Sequence, residues 1–302
     1  MKVRVLGSAA GGGFPQWNCR CPVCALAWNG DPRVTPRTQS SVAISADGDH
    51  WFLLNASPDL KQQILANPPV QPRGQGRHSP IAGAVMTNAD VDHVGGLLSL
   101  RERQRLVLYG TERVLATLAA NPIFTVLDES MVERRSMTLD QPTALQLPGG
   151  HPSGLTIEAF AVPGKQALWL EDQPGSREDT IGLLLRDTDG AMLAYVPACA
   201  AITEAVRRRV AGAALLLFDG TLWRDDEMIA SGVGSKTGAR MGHVSIGGDN
   251  GALAGWQGAD VGRKIFIHIN NTNPVLIDGS PERNAVIAAG WGIAEDGQEF
   301  TL

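Results

Sequence analysis

No apolar run in this 302-residue chain approaches the ~20 residues that a membrane-crossing helix needs, so no spanning segment is expected. The start, Met1-Lys-Val-Arg-Val-Leu6, has too brief an apolar stretch for a secretory signal and reads as a β-strand. Cysteine is scarce. There are four, three of them packed into six positions, which is no framework for disulfides. A reduced, cytoplasmic setting is the expectation. Basic excess is absent as well: a net charge of −5 and a pI near 5.7 argue against a nucleic-acid or anionic-membrane partner. No internal repeat of solenoid period is found. What the chain does have is 43% hydrophobic residues, enough for a sizeable core, with 35 glycines and 18 prolines that imply many tight turns.

Strand-like runs fall at 3–6, 41–45, 51–55, 81–86, 106–109, 156–162, 180–187, 191–196, 214–218 and 264–269. Helix-like segments lie near 59–66, 95–102, 111–118, 203–210 and 280–289. Hairpins dominate the N-terminal third, while strands and crossover helices mix in the rest. That order predicts an α/β (α+β) fold with two mixed sheets, rather than a purely parallel Rossmann sheet. One domain over 1–302 is expected, with irregular insertions near 66–80 and 230–248.

The most informative segment is Asn88-Ala-Asp-Val-Asp-His93, which follows the short buried strand Ile81–Thr87 and precedes Gly95-Gly96. A turn at a strand's carboxyl end, where layered α/β folds place their chemistry, thus carries two carboxylates, an amide and an imidazole. Hard oxygen donors beside one imidazole suit a divalent ion such as Fe(II), Mn(II) or Zn(II). An ordinary polar turn with an Asp capping the next helix is the plainer alternative.

Cys19-Arg-Cys21-Pro-Val-Cys24 is the second sharp signal. Three thiols at spacings of two and three residues converge on a soft tetrahedral ion, zinc or iron, in a structural role. A closed site needs a fourth ligand: a histidine, or a polar side chain from a distant loop such as Asn270-Asn271-Thr-Asn273. Cys199 stands alone and reads as a small core residue. Gly7-Ser-Ala-Ala-Gly-Gly-Gly13 follows the first strand but has neither P-loop nor dinucleotide spacing. It reads as a loop permitting close backbone approach.

In the C-terminal half, Asp219-Gly-Thr leaves a buried strand, Met241-Gly-His243-Val-Ser245 follows, and His268 sits in an apolar strand. Taken singly, Asp219 could be a turn residue and His268 a hydrogen-bonded core histidine. His50, His78 and His151 lie in turn or loop contexts and are expected at the surface.

The segment Asn88–His93 resembles the His-x-His-x-Asp-His motif of the metallo-β-lactamase superfamily. Asn88 and Asp90 replace the two leading histidines, and Asp92 and His93 occupy the last two ligand positions. With Asp219, His243 and His268 in order, the chain is similar to the branch holding transfer-RNA 3′-processing enzymes and cyclic phosphodiesterases. The resemblance implies an αββα sandwich in which Asp92, His93, Asp219 and His268 hold one metal. His243 would then be an unligated acid/base or substrate-binding group. A third histidine is expected near the end of 156–162, where Val162-Pro-Gly-Lys165 stands instead. One metal site is thus kept and another given up, which implies a metal enzyme other than a two-metal hydrolase.

Further stretches extend the resemblance over essentially the whole chain: Gly7 to Cys21, Leu53-Leu-Asn-Ala-Ser-Pro-Asp-Leu60, Thr87 to Leu97, and His268-Ile-Asn-Asn-Thr-Asn-Pro274. Together they resemble a family of that superfamily tied to making pyrroloquinoline quinone, a redox cofactor built from a glutamate and a tyrosine of a precursor peptide. Two roles are implied. One is an iron-dependent oxidoreductase, hydroxylating the tyrosine ring of the cross-linked Glu-Tyr intermediate with O₂. The other is a carrier for transport of the product toward the periplasm, and a metal-dependent hydrolase is the third reading. Two histidines and a carboxylate with open positions fit the hydroxylase, with Fe(II) as working ion and Zn or Mn as ions found on purification. His243 would then serve the phenol proton and Asp90 would orient a ligand. Lys236, Arg240 and Lys165 would meet substrate carboxylates, solvated loop charge being the plainer alternative. Other proteins of the same synthesis are the expected partners.

Overall fold

Period-2 and fully apolar runs become the strands of two seven-stranded sheets in a computed structural model that describes residues 1–170 and 172–302. In chain order the strands are β1 (Lys2–Gly7), β2 (Ser41–Ser45), β3 (Trp51–Leu54), β4 (Ile81–Val85), β5 (Leu106–Gly110), β6 (Val132–Ser136) and β7 (Pro142–Gln146). They continue as β8 (Pro152–Ala161), β9 (Ile181–Asp187), β10 (Met192–Val196), β11 (Ala213–Asp219), β12 (Val261–Ile267), β13 (Trp291–Ile293) and β14 (Glu299–Thr301). One sheet runs β14-β1-β2-β3-β4-β5-β6, the other β13-β12-β11-β10-β9-β8-β7. Each is mixed. Pairs up to β3 in the first sheet, and from β7 to β10 in the second, are antiparallel, and the remaining pairs are parallel.

The layers follow from which face of each strand is apolar. Val3, Val5, Val42, Ile44, Phe52 and Val107 of one sheet meet Ile157, Leu183, Leu185, Leu215, Leu217 and Ile265 of the other in a central core. The opposite faces build two further cores under the helices, one holding Leu53, Leu60, Leu108, Val114 and Leu118, the other Val206, Phe218, Trp256, Phe266 and Val286. Two mixed sheets flanked by helices is the architecture expected from sequence.

All ten expected strands form; eight lie within one residue of their expected ends, while β8 begins four residues and β12 three residues earlier than expected. The others are poor in the usual signals: β6 carries Glu133-Arg-Arg135, β7 opens on Pro142, and β13 and β14 are three residues each. Two expectations are corrected. Residues 95–102 make 3-10 turns rather than an α-helix, after a single helical turn at Val91–Val94. A side chain at Gly96 would overlap the carbonyl of Ser57, so the chain must turn tightly over the 55–57 loop there. The apolar run 264–269 also stops being a strand at Ile267, because His268 takes φ +61°. Within the 66–80 and 230–248 stretches lie a 3-10 turn at Pro68–Val70 and a helical turn at Gly238–Met241. Among the described residues no helix is long and apolar enough to cross a membrane.

Candidate metal centre and its cavity

The carboxyl ends of β4, β11 and β12 point the same way, and the turns leaving them converge. Asp92 and His93 come from the turn after β4, Asp219 ends β11, and His268 follows β12. Crevices at the carboxyl ends of parallel strands are where such sheets assemble sites. Ligand atoms of Asp92, His93 and His268 lie within 4.8 Å of one another, as do those of Asp219, His243 and His268. His268 is therefore shared, its ring 5.3 Å from His93 edge-on and 5.3 Å from His243 stacked. A non-glycine residue with positive φ at such a junction is backbone strain held by its surroundings.

Hydrogen bonds settle which nitrogen each histidine offers. Asn88 Oδ1 accepts the Asp90 N–H at 2.9 Å, which fixes its amide orientation, so His93 Nδ1 donates to the same oxygen at 2.8 Å. His93 Nε2 is left with its lone pair, buried and without a hydrogen-bond partner among the described residues. Thr221 Oγ1 sits 2.9 Å from His268 Nδ1, turning His268 Nε2 toward Asp92 Oδ2 at 3.1 Å. Burial pulls the His93 imidazole below its ordinary range despite Asp92 nearby. For His268 burial also opposes charge, but the bond to Asp92 and the surrounding carboxylates outweigh it and raise the pKa. Burial works to raise Asp92 too, yet His93 and His268 hold it well below the usual carboxylate range. An orphaned buried lone pair beside a carboxylate and a second imidazole fits a divalent cation.

Asp219 and Asp90 are each held by further hydrogen bonds. Asp219 is fully buried, with Oδ2 accepting from the Cys199 N–H at 2.8 Å and from His243 Nδ1 at 2.7 Å, and Oδ1 accepting from Thr221 N–H and Oγ1. Its ligand oxygen groups with His243 and His268, beside the Asp92–His93–His268 group that shares His268. The Asp90 carbonyl accepts the His93 N–H at 2.9 Å, while its carboxylate Oδ1 accepts the Leu168 N–H at 3.0 Å. The orienting group is Asn88. From sequence Asn88 reads as a replaced histidine, and no sequence pattern singles out Thr221, which braces both His243 and His268. Asn55, at φ +61°, completes the support by exchanging hydrogen bonds with Thr87 at 2.9 Å. Replacing Asn88 by Ala should weaken metal affinity about 10- to 100-fold, while Asp, which keeps an acceptor oxygen, should retain most of it. Chelator competition measures both.

These residues open onto a cavity of about 770 Å³, lined also by Gly11, Gln16, Lys165, Trp169, Met228, Lys236 and Met241. Gly11 belongs to the glycine loop after β1: a Cβ there would lie 3.2 Å from Asp92 Oδ2, the close approach expected of that loop. Lys165 and Lys236 line the cavity. Arg240 does not; it is exposed on the Gly238–Met241 turn, which sends Met241 inward instead. His50, His78 and His151 are exposed.

Cys19, Cys21 and Cys24 are free, buried and clustered within 4.8 Å. The helix Pro22–Trp28, unforeseen from sequence, starts inside the cluster and sets the spacing. Asn271, from the loop named as a source of the fourth ligand, closes the cluster: its Nδ2 lies 3.2 Å from Cys19 Sγ and Cys24 Sγ. An amide flip would present Oδ1 to an ion at that corner. Cys199 is a core residue whose thiol is pushed up by burial to about 12.

Paired mixed sheets with carboxylate and imidazole ligands gathered at the carboxyl ends of parallel strands define a metallo-β-lactamase fold, and residues 50–269 match the family model of the Beta-lactamase superfamily domain. Within it, the chain belongs to the coenzyme PQQ synthesis protein B family. It is 55% identical over 309 residues to the protein of that name from Rhodopseudomonas palustris, all of both chains being covered. The Zn(2+)-bound PqqB crystal structure from Methylobacterium extorquens superposes with a TM-score of 0.95 at 51% identity, again covering both chains fully. A diphosphatase of the PhnP family, at 20% identity and a TM-score of 0.70 over 99% of this chain and 96% of its own, shares the fold.

Proposed function

We propose that the protein acts in pyrroloquinoline quinone synthesis as an iron-dependent oxygenase that hydroxylates the tyrosine ring of the cross-linked Glu-Tyr intermediate. A place in that synthesis follows from family membership. The observation carrying the metal assignment is the lone, buried His93 Nε2 beside Asp92 and His268. Asp92, His93 and His268 would hold the ion, with Asp219 as a fourth group on the far side of His268. Two histidines and a carboxylate are the ligand set of non-haem iron oxygenases, and iron, when bound, supplies the redox chemistry that O₂ activation needs. The cysteines with Asn271 would hold a structural zinc, in keeping with the zinc of the Methylobacterium extorquens relative.

The chain's own groups do the rest. His243 has Nδ1 pinned by Asp219, which leaves Nε2 to take or return the phenol proton. Asp219 stabilises the imidazolium so formed. Lys165 and Lys236 offset the charge of the intermediate's carboxylates. Each hydroxyl inserted consumes one O₂ and two electrons from an external donor, the second oxygen leaving as water.

The test is anaerobic reconstitution with Fe(II), followed by O₂ uptake and product mass on the cross-linked intermediate. Oxygen gained by the product, and lost in His268→Ala, is the expected result. No uptake with tight binding of the finished quinone would make the protein a carrier. Turnover of ester substrates with added Zn(II) would make it a hydrolase.

A further inference from the structure

Residues 168–170, after β8, are tied to the metal-facing loop twice. The Leu168 N–H donates to Asp90 Oδ1 at 3.0 Å, and the Trp169 indole Nε1 donates to the Ala89 carbonyl at 3.0 Å. Ala89 and Asp90 immediately precede the Asp92–His93 pair. Around this helical turn, Ala167 and Leu170 are buried in the core outside the first sheet, while Leu168 and Trp169 are 62% and 39% exposed and line the cavity. Single exposed apolar side chains are ordinary. Two in succession, one with its indole locked by a hydrogen bond, facing the same cavity as three histidines, are not explained by core packing.

The cavity is thus divided by chemistry. Asp92, His93, His243 and His268 form its polar side; Trp169, Leu168, Met228 and Met241 supply its apolar side. Lys165 lies between, its stem laid on Gly242, where φ is +86° and a Cβ would come within 3.0 Å of Lys165 Cγ. A fixed indole offers a flat surface at little entropic cost, and stacked rings gain beyond their buried area. The volume of about 770 Å³ suits a ligand of a few fused rings.

We propose that Trp169 is the wall on which a planar, carboxylate-bearing ring lies in this cavity, and that Asp90 is the latch holding that wall over the metal-facing loop. The proposal rests on the reading of an aromatic substrate given above and assigns its ring a specific surface.

Pyrroloquinoline quinone itself is the probe, measured by calorimetry on the metal-loaded protein, with citrate as a non-aromatic tricarboxylate and metal content determined for every variant. Trp169→Ala should weaken quinone binding about tenfold or more and leave citrate binding and metal content unchanged. Trp169→Phe should restore most of the affinity. Asp90→Ala should give a smaller loss at unchanged metal content. Unaltered quinone affinity in Trp169→Ala overturns the wall while leaving the proposed function standing, and equal losses for citrate reduce Trp169 to a general structural part. If the parent binds no quinone, the aromatic-substrate reading falls and this inference with it.

Discussion

Alanine at position 93 should leave a folded protein that no longer responds to metal. In the metal-free state two effects oppose each other. Truncating the buried imidazole opens a cavity, a cost of about 2–3 kcal/mol for a side chain of this size. It also removes the unpartnered Nε2, whose burial costs about 1–3 kcal/mol as it stands. The unfolding temperature without metal should therefore move by only a few degrees. With metal the contrast is large. An ion at about 1,000 times its Kd stabilises the parent by about 4 kcal/mol, and the variant should lose that increment. Turnover should fall roughly 10³-fold, the rate equivalent of the several kcal/mol a bound ion contributes at a reacting centre. Calorimetric scans with and without Fe(II), beside single-turnover rates, check both halves. A variant that kept the metal-dependent increment would place the ion elsewhere, at the Asp219–His243–His268 group or the cysteine cluster.

The ligand turn was legible because its chemistry is local: Asp92 and His93 are adjacent and follow a buried strand, so a strand-end site could be read from six residues. Asn88 was in view too, yet its part was not. Whether an amide replaces a ligand or orients one depends on its bonds to His93 and the Asp90 N–H, and those depend on a turn that only the folded chain defines. The carboxylate of Asp90 was illegible for the complementary reason: its partner, the Leu168 N–H, is 78 residues away on a connection with no pattern of its own. His268 lay inside a run apolar enough to be read as continuous strand. Its left-handed backbone is held by Thr221, which takes both His268 Nδ1 and the His268 carbonyl, a contact no periodicity announces. The sheets were easier, because burial on both faces makes β3, β4 and β10 wholly apolar, whereas β6 and β7 lie at sheet edges where charge and proline are tolerated.

Replacing Cys24 by Ser should have the largest effect on stability, and of a different kind from that at His93. From β1 to β2 the chain runs more than thirty residues with one short helix and isolated bridges at Ala9–Gln39, Ala9–Ile269 and Phe14–Arg37. Little regular secondary structure holds such a segment, and the cysteine cluster with its contact to Asn271 ties it to the second sheet's side of the molecule, beside the Ser8 and Thr38 bonds to Asp296 and the packing of Phe14, Val23 and Val34. Zinc binding at sites of this kind contributes about 10 kcal/mol or more, all of it folding energy because the unfolded chain has no preformed site. Removing one of three thiolates forfeits most of that. Even a loss of several kcal/mol lowers the unfolding temperature by roughly 10 °C or more in a chain of this size. Gly11, Gly12 and Gln16 from the same segment line the cavity, and Asn270, next to Asn271, lines it as well. Release of the clip should therefore also loosen substrate binding, whereas His93→Ala removes metal from the cavity and spares the clip. Native mass spectrometry separates the two: Cys24→Ser should lose one zinc together with its thermal stability, Cys199→Ala should keep both counts intact, and a Cys24→Ser protein with parental zinc and parental unfolding temperature would show that the thiols are packing residues and hold no metal.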